Sequence, residues 1–455
     1  MMIELLPLLL FFVICLTLLL GFPVAFTLGG VSILFAFVAS IFGAFEINLL
    51  ETMPNRLFGI MTNATLVAVP LFVFMGVILE KSKVAELLLT SMSNLFSRYK
   101  SGLGISILFV GTLLAASTGI VGATVIAMGL ISLPAMLARG YSEKVSTGLI
   151  AATGTLGQII PPSIALVILG DVLATAYQQS QLKIGNYVAK SLSVGDLFMA
   201  AIIPGLILVF LYGLYFVFSL KKEVLTLDEN QKHENFFELI STLIPPFFLI
   251  FAVLGSIITG IASPTEAAGI GALGAIFIAL IHKRLNFKIL KESTTQSAFI
   301  SSMVFLILIG ASIFSLVFRG LGGEELITEI FNSIPGGLFG SMILVMFLVF
   351  VLGFILDFIE ITFIVVPIVG PILMAMGADP LWLGVMLAIN LQTSFLTPPF
   401  GFALFYLRSV TPETIKTESI YKGVFPFIMI QILVLCLVAY FCLLYTSDAA
   451  DEEDS

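Results

Sequence analysis

Long apolar stretches recur along the whole chain and are separated by short polar turns. A stretch of about 20 apolar residues is long enough to cross a bilayer as one helix. The pattern predicts the following spans: Ile3–Leu20, Pro23–Phe42, Leu57–Leu79 (interrupted at Pro70), Leu103–Ser117, Val121–Ala138, Ser146–Leu169, Leu197–Leu220, Phe236–Ile258, Glu266–Ile281, Ala298–Phe318, Leu338–Leu356, Ile361–Met376, Leu381–Leu407 and Gly423–Phe441. Val84–Phe96 and Glu324–Ser333 are shorter and amphipathic, which predicts helices at the membrane interface.

Two of these stretches are interrupted by a pair of prolines within a polar segment. The first reads TGTLGQIIPPS from Thr153 to Ser163, and the second reads NLQTSFLTPPF from Asn390 to Phe400, so Pro398-Pro399 follows Pro161-Pro162 by 237 residues. Proline lacks a backbone donor and breaks the helical ladder. In lipid, the groups it frees are tolerated only where protein or a water-filled cavity satisfies them. Broken helices at matching places in two halves are typical of the binding sites of secondary transporters.

The two halves of the chain align beyond the proline pairs. At the same offset the following residues coincide: Pro134 with Pro371, Gly140 with Gly377, and Ala151 with Ala388. The order of interfacial helix, hairpin, turn and broken span also matches. These coincidences predict an internal structural repeat.

Basic residues indicate how the repeats are oriented. The turn RGYSEK at Arg139–Lys144 is basic, whereas its counterpart GADP at Gly377–Pro380 has no basic residue. Because basic loops face the cytoplasm, loops that match in sequence position fall on opposite sides of the membrane, and the repeat is inverted. The same rule predicts the N-terminus outside and the loops Lys221–Glu234 and His282–Glu292 inside.

The polar residues at the breaks are candidate ligands for a cation. The first half has small and hydroxyl residues at a predicted hairpin tip, Ala116–Gly119, followed by Thr124. The second half has Asp357 near Thr362, and then the polar run Asn390–Thr397. Hydroxyls and unwound carbonyls are hard oxygen ligands that suit Na⁺, and a carboxylate at membrane depth is a functional candidate.

Structural roles remain open for the same residues. A hydroxyl within a span often bonds back to the carbonyl four residues earlier, or lets two helices pack closely. Asp357 precedes an apolar run, so it is also a candidate helix cap. The Pro-Pro segments are alternatively plain helix kinks.

Composition agrees with a membrane protein. Hydrophobic residues make up 59% of the 455 residues and charged residues 11%, against about a quarter for a soluble domain. The mean hydropathy is +1.16. The three cysteines, Cys15, Cys436 and Cys442, lie in apolar segments without a CxxC spacing, so packing explains them better than a metal or a disulfide. Glu4 and the absence of a basic region before the first apolar run favour a retained first span.

Two other functional classes fit the sequence poorly. A primary pump needs a phosphate-binding G-x-x-x-x-G-K-[ST] loop, which the chain lacks. An embedded enzyme needs a nucleophile or a metal cluster, yet the two histidines, His233 and His282, both fall in predicted cytoplasmic loops beside basic residues. The chain is therefore not expected to be an enzyme.

The end of the chain has an unusual composition. Cys442–Glu452 reads CLLYTSDAADE, which resembles the translation of a sequencing-library adapter, with a natural solvated tail as the alternative. Several of the acids behind the formal net charge of -8 lie in Asp448–Ser455. We expect the last true span to end near Phe441 and assign no function to the residues after it.

Four sequence blocks carry a resemblance to a known family. The run AASTGIVGATVIAMGLISLPAMLARGYSEK from Ala115, followed by GTLGQIIPPS, is similar to the large membrane subunit (M subunit, DctM-like) of TRAP transporters, the tripartite ATP-independent periplasmic systems. VPLFVFMG, SPTEAAGIGAL and LTPPFG match further blocks in the right order, and the similarity extends to Phe441.

The resemblance implies a Na⁺-driven secondary transporter with an elevator-like motion, a small four-helix membrane partner and a periplasmic substrate-binding protein that delivers an organic acid. The family's sodium sites lie at the hairpin tips and broken segments. Together with the polar residues and prolines of the breaks, this gives the candidate residues for Na⁺ or substrate: Ser117, Thr118, Gly119, Thr124, Gly157, Pro161, Pro162 and Ser163 in the first half and Asp357, Thr362, Asn390, Thr393, Ser394, Thr397, Pro398, Pro399 and Gly401 in the second half.

The combined prediction is an all-α integral membrane protein with about 11 transmembrane helices, re-entrant hairpins and two inverted repeats of the elevator type. The predicted divisions are 1–56 (N-terminal scaffold helices), 57–220 (first repeat), 221–292 (central cytoplasmic loops and two scaffold helices), 293–441 (second repeat and last helix) and 442–455 (adapter-derived tail). The insert Gly170–Phe198 is expected on the periplasmic side, in reach of the binding protein, or else as a surface loop.

The expected function is Na⁺-driven, binding-protein-dependent import of a small carboxylate, such as a 2-oxo or 2-hydroxy acid, across the bacterial inner membrane by a multi-pass subunit. Na⁺ is the expected coupling ion, without a transition metal, an organic cofactor or a nucleic-acid partner. A stand-alone Na⁺- or H⁺-coupled organic anion symporter is the alternative.

Overall fold

The structure is a computed structural model that describes residues 4–96, 99–187, 191–220 and 236–453, and within these ranges it contains helices and no strand. The α-helices are α1 (Leu6–Leu19), α2 (Val24–Ile41), α3 (Met53–Met61), α4 (Ala68–Lys81), α5 (Val84–Leu95), α6 (Gly102–Thr118), α7 (Val121–Ala138), α8 (Glu143–Thr155), α9 (Ile164–Lys183), α10 (Val194–Ser219), α11 (Phe236–Ile258), α12 (Pro264–Ile281), α13 (Phe287–Gly320), α14 (Gly323–Ser333), α15 (Gly337–Leu352), α16 (Phe358–Ile364), α17 (Val366–Ala375), α18 (Pro380–Leu396), α19 (Phe402–Val410) and α20 (Thr417–Glu453). Two 3₁₀-helices span Ile47–Thr52 and Leu156–Gln158. His233 and the predicted cytoplasmic loop Lys221–Glu234 lie outside the described residues.

Many of these helices are apolar enough to cross a membrane. Within the described ranges six helices are long enough to do so alone, and up to eight spans result if each of two bent pairs is one span. Shorter apolar helices of 10–17 residues cover Leu6–Leu19, Gly102–Ser117, Leu243–Ile258 and Pro380–Leu396. The all-helical membrane fold class predicted from hydropathy is confirmed.

The structure corrects several predicted helix ends. The interruption expected at Pro70 lies instead before α4, and Pro70 is the third residue of that helix. Proline is tolerated there because the first backbone N–H groups of a helix have no intrahelical acceptor. The span expected to end at Leu169 continues as α9 to Lys183, so the first half of the insert Gly170–Phe198 is helical rather than a loop. The span predicted from Ala298 begins earlier, at Phe287.

Helix boundaries repeat at the offset that the sequence predicted. Shifted by 237 residues, the first and last residues of α7 fall on the first residue of α16 and the last residue of α17. The first residue of α8 likewise falls on the first residue of α18. The Pro161-Pro162 and Pro398-Pro399 bonds are both cis. The agreement of element ends supports the predicted internal repeat.

The chain divides into two compact units, each assembled from distant segments. The first unit contains Met1–Val67, Ile168–Ser193 and Ala298–Leu383. Within it α13 crosses α2 closely, since a Cβ on Gly310 would overlap the carbonyl oxygen of Ala25. The helices α14 and α15 form a sharp bend of 119°, and α16 and α17 a bend of 56°.

The second unit contains Ala68–Val167, Val194–Ser297 and Gly384–Ser455. Its most extensive helix packing joins α12 to α4, and α8 to both α20 and α7. Tyr212 of α10 is fully buried, and its ring meets the Phe427 ring edge-on at 5.1 Å. This unit holds both helix breaks and the hairpin α6–α7.

Candidate ion site at the two helix breaks

The first break lies between α8 and α9. Pro161 and Pro162 have no backbone N–H, so the carbonyls four residues before them, those of Gly157 and Gln158, lose their helical donors. The side chain of Ser163 supplies one replacement, because its Oγ donates to the Gly157 carbonyl at 2.5 Å. Ser163 is fully buried. The break is therefore an ordered polar segment within the protein and not a frayed helix end.

The tip of the α6–α7 hairpin packs against this break. Gly119 ends α6 with a φ of +60°, a left-handed conformation that favours glycine. A Cβ on Gly119 would lie 2.7 Å from the backbone nitrogen of Ile164, and a Cβ on Gly157 would lie 2.5 Å from the carbonyl oxygen of Ala115. The two backbones therefore meet at a distance that only glycine permits.

Buried hydroxyls surround the meeting point. Ser117 donates to the carbonyl of Leu114 at 2.9 Å, and Thr124 donates to the carbonyl of Ile120 at 3.1 Å. The side chain of Thr118 lies outside the described residues. A hydroxyl that gives its proton to a carbonyl still presents oxygen lone pairs. The geometry therefore fits both the packing role and the ligand role for these side chains.

The second break lies between α18 and α19. Thr393 and Thr397 donate to the carbonyls of Ile389 and Thr393, at 2.8 and 2.7 Å. A bond from a hydroxyl to the carbonyl four residues earlier is the structural role that the sequence analysis left open for these side chains. Pro398 and Pro399 leave the carbonyls of Ser394 and Phe395 without helical donors. The N–H of Thr397 instead donates to the Ser394 carbonyl at 3.0 Å.

The remaining candidate residues of the second break lie near the end of α18 or in the turn between α18 and α19. Asn390 and Ser394 are buried in α18, whereas Pro399 is exposed. Gly401 precedes α19 and donates its N–H to the Thr397 carbonyl at 3.0 Å. The candidate residues from Asn390 to Gly401 thus lie at the end of α18 and in the turn after it, and they share the second unit with all the candidates of the first half.

A contact between equivalent residues links the two breaks. Gln392 donates from Nε2 to Thr155 Oγ1 at 3.4 Å, and these residues are 237 positions apart, the repeat offset itself. In a repeat whose halves are related by a twofold axis, two copies of one position touch only near that axis. Gln431 and Tyr212 complete this buried cluster, with Gln431 Nε2 lying 3.5 Å from Thr155 Oγ1. Sequence reasoning did not single out Thr155, although the offset could have identified it.

Asp357 and Thr362 belong to the first unit. Asp357 is exposed and caps α16, since its Oδ1 accepts the N–H of Phe358 at 2.7 Å while Glu360 accepts the N–H of Asp357 at 2.9 Å. This is the capping role that the sequence offered as the alternative. Thr362 is fully buried, and its hydroxyl has no hydrogen-bond partner among the described residues. An orphaned buried oxygen is consistent with a missing ligand.

The donor set at the breaks fits a hard cation better than a transition metal. The candidate ligands at the breaks are hydroxyl, amide and backbone carbonyl oxygens. Hard cations such as Na⁺ favour oxygen, whereas zinc and copper favour imidazole and thiolate. In the part of the chain that the structure describes, no group of three His, Cys, Asp or Glu residues is arranged to hold a metal.

Comparison with known proteins gives a consistent result along nearly the whole chain. Residues 10–444 match the family described as the tripartite ATP-independent periplasmic transporter, DctM component. The chain is 29% identical over 425 residues to the C4-dicarboxylate TRAP transporter large permease protein DctM of Rhodobacter capsulatus, covering 92% of this chain and 93% of that protein. It is 28% identical over 426 residues to the ectoine TRAP transporter large permease protein TeaC of Halomonas elongata, with coverages of 93% and 94%.

Solved structures show a similar fold at low sequence identity. The YdaH transporter of Alcanivorax borkumensis superposes with a TM-score of 0.58 at 12% identity, over 87% of this chain and 88% of that one. MtrF of Neisseria gonorrhoeae gives a TM-score of 0.57 at 13% identity, over 87% and 84%. At these identities the likeness concerns the fold alone.

Proposed function

Because the chain belongs to the DctM-component family of tripartite ATP-independent periplasmic transporters, we propose that it imports a small organic acid with Na⁺ as the coupling ion. Proteins of this family are permease subunits and not enzymes, and the chain is a multi-pass protein of the bacterial inner membrane. A small four-helix membrane subunit and a periplasmic substrate-binding protein are its proposed partners. Relatives named for C4-dicarboxylates and for sialic acid support a carboxylate substrate.

The observation that carries the coupling proposal is the meeting of a hairpin tip with a broken helix in the second unit. Each element places a buried hydroxyl there, that of Ser117 at the end of α6 and that of Ser163 at the break. A desolvated Na⁺ needs several such oxygens to replace its hydration shell. In the proposed mechanism these residues hold the ion. The negative charge of Asp357 is a separate proposal, which rests on the sequence alone. An elevator-like movement of one domain against a scaffold then carries ion and solute together.

Uptake into proteoliposomes tests this proposal. We expect transport to require Na⁺, the small subunit and the binding protein, and to be indifferent to ATP. Replacing Na⁺ by choline at constant pH should abolish uptake. Uptake that persists in choline contradicts Na⁺ coupling, and uptake that persists without the binding protein favours the stand-alone symporter instead.

A pair of matched variants locates the ion site. Thr397→Val removes a hydroxyl at the second break, and we expect it to weaken the apparent Na⁺ affinity by roughly 5- to 150-fold, the effect of losing one good oxygen partner. Thr328→Val makes the same change on α14, where the hydroxyl only bonds to the Glu324 carbonyl at 2.7 Å. Transport by this control should keep the wild-type Na⁺ dependence. Equal Na⁺ dependence in both variants would remove Thr397 from the site.

A further inference from the structure

A cavity of about 330 Å³, lined by apolar and polar residues, lies entirely within the first unit, whereas the candidate residues of the two helix breaks belong to the second unit. Its volume is near the lower end of the range for small-molecule sites, about 300–1,000 Å³. Residues of α3, α9 and α13 form most of its wall, and Asn63, Leu66, Phe363 and Pro367 complete it. A cavity of this size accommodates a small solute.

Helical periodicity explains why these side chains share one cavity. Leu308, Ala311, Ser312 and Ser315 line it from α13, with the spacing of one helix face. Asp171, Thr175 and Gln179 line it from α9 with a spacing of four residues. Arg56 and Ile60 of α3 follow the same rule. Each helix therefore contributes one continuous face, with polar and apolar groups interspersed.

Most charged groups around the cavity already have partners. Both carboxylate oxygens of Asp171 accept hydrogen bonds from Asn63 Nδ2, Oδ1 at 3.1 Å and Oδ2 at 3.0 Å. Arg319, one turn beyond Ser315, donates from Nη2 to Gln179 Oε1 at 2.7 Å and pairs with Glu324 through Nε at 3.7 Å. Asp171 still has acceptor capacity, since a carboxylate offers about four lone-pair positions.

Arg56 is the exception. It is half-buried, it lines the cavity, and it makes no ion pair or hydrogen bond with any of the described residues. Burial and the nearby charge of Arg319 both lower the pKa of Arg56. An anion in the cavity would relieve both effects, and a guanidinium matches a carboxylate with two parallel hydrogen bonds.

We propose that this cavity binds a small carboxylate that also carries a hydrogen-bond donor, with the carboxylate on Arg56 and the donor directed to Asp171. The proposal rests on the function proposed above and adds to it a solute site and a solute class. Ser312, Ser315 and Thr175 supply further polar contacts, and Phe363 and Leu308 supply an apolar wall. Hydroxy acids and amino acids both satisfy this chemistry.

A matched series of three-carbon acids tests the proposal on the purified permease with its small subunit. Propionate has no donor beside its carboxylate, lactate has a hydroxyl, and alanine has an ammonium. Thermal stabilisation by each acid measures binding without any Na⁺ gradient or binding protein. We expect wild type to be stabilised more by lactate or alanine than by propionate, and the stronger of the two identifies the donor.

Two substitutions of the same kind provide the comparison. Arg56→Gln should weaken binding of the preferred acid by at least about tenfold, as expected for losing a charge-assisted pair. Arg284→Gln removes an exposed arginine in the turn after α12 and should bind like wild type. Wild-type affinity in Arg56→Gln overturns the proposal, as does failure of all three acids to stabilise the wild-type protein.

The two proposals can fail separately. If uptake is Na⁺-driven but Arg56→Gln transports and binds normally, the cavity is not the solute site and the proposed function stands. If uptake is independent of Na⁺ but the acids bind through Arg56, the cavity assignment stands and the coupling proposal fails.

Discussion

At the scale of single residues, the carboxylate of Asp357 has a capping role in the structure and a proposed role as a formal charge. Asparagine is also a good helix cap, so Asp357→Asn keeps the capping bond and removes the charge. Asp357→Ala removes both. We expect both variants to weaken apparent Na⁺ affinity in uptake assays, whereas only the alanine variant should lose stability, by about 0.5–2 kcal/mol.

Thermal unfolding of the two variants separates these effects. A lower melting temperature for Asp357→Ala than for Asp357→Asn confirms the cap seen in the structure. Unchanged Na⁺ dependence in both variants would leave Asp357 with the capping role alone, and the counter-charge for the ion would have to come from elsewhere.

The sequence predicted candidate residues where polarity is unusual for its surroundings. Ser117, Ser163 and Thr397 stand out because each interrupts an apolar stretch. Arg56 and Thr155 do not stand out, since an arginine near a helix end and a threonine within a polar run are common. Their significance depends on side chains that lie more than a hundred positions away, such as Asp171 and Gln392. Only the folded chain brings those partners together.

At the scale of helices, close packing between α8 and α20 depends on two facing glycines. A Cβ on Gly148 would overlap the Gly423 carbonyl oxygen, and a Cβ on Gly423 would overlap the Lys144 carbonyl oxygen. Because both obstacles are backbone atoms, no side chain can rotate to make room. We expect Gly148→Ala to lower the free energy of unfolding by about 1–3 kcal/mol, the typical cost of overpacking.

Gly255→Ala provides the control for this prediction. Gly255 also lies within a helix, α11, but a Cβ there meets no atom within 4 Å. Alanine should be neutral or stabilise the helix by roughly 0.5–1 kcal/mol relative to glycine. Melting temperatures of the two variants in the same detergent give the comparison. Equal melting temperatures would mean that α8 and α20 separate easily, contrary to the packing described.

Hydropathy predicted helix ends best where a helix stops at glycine or at a polar tip. The predicted limits of α7, Val121–Ala138, are the observed ones. Prediction failed where a helix continues through polar residues, as α9 does from Gly170 to Lys183. There the polar side chains line a cavity inside the first unit and do not mark a surface loop. Local hydrophobicity cannot distinguish these two environments.

At the scale of the whole molecule, the repeat was visible in the sequence because proline and glycine mark backbone geometry. The proline pairs and the turn glycines Gly140 and Gly377 recur at one offset, and both glycines have positive φ in the structure. By contrast, α13 is a single helix of 34 residues, whereas the matching part of the first half is divided into α3 and α4. The sequence predicted an interruption in the first half only, but placed it at Pro70, whereas the break lies before Ala68.

The basic loops predict the orientation of the chain in the membrane. Exposed residues at the two ends of α12 allow a test of this orientation. This helix has 18 residues and is therefore about 27 Å long, enough to cross the hydrocarbon core once. Ile261 and Arg284 are exposed in the turns at its two ends. Since basic residues at 283, 284 and 288 face the cytoplasm, Ile261 should face the periplasm.

Cysteine labelling decides between the two orientations. In a background with Cys15, Cys436 and Cys442 replaced, a membrane-impermeant maleimide should label Ile261→Cys in intact cells. It should label Arg284→Cys only after the membrane is permeabilised. The reverse pattern would invert the orientation of the whole chain, because every span alternates from this one. Labelling of both sites in intact cells would mean that α12 does not cross the membrane.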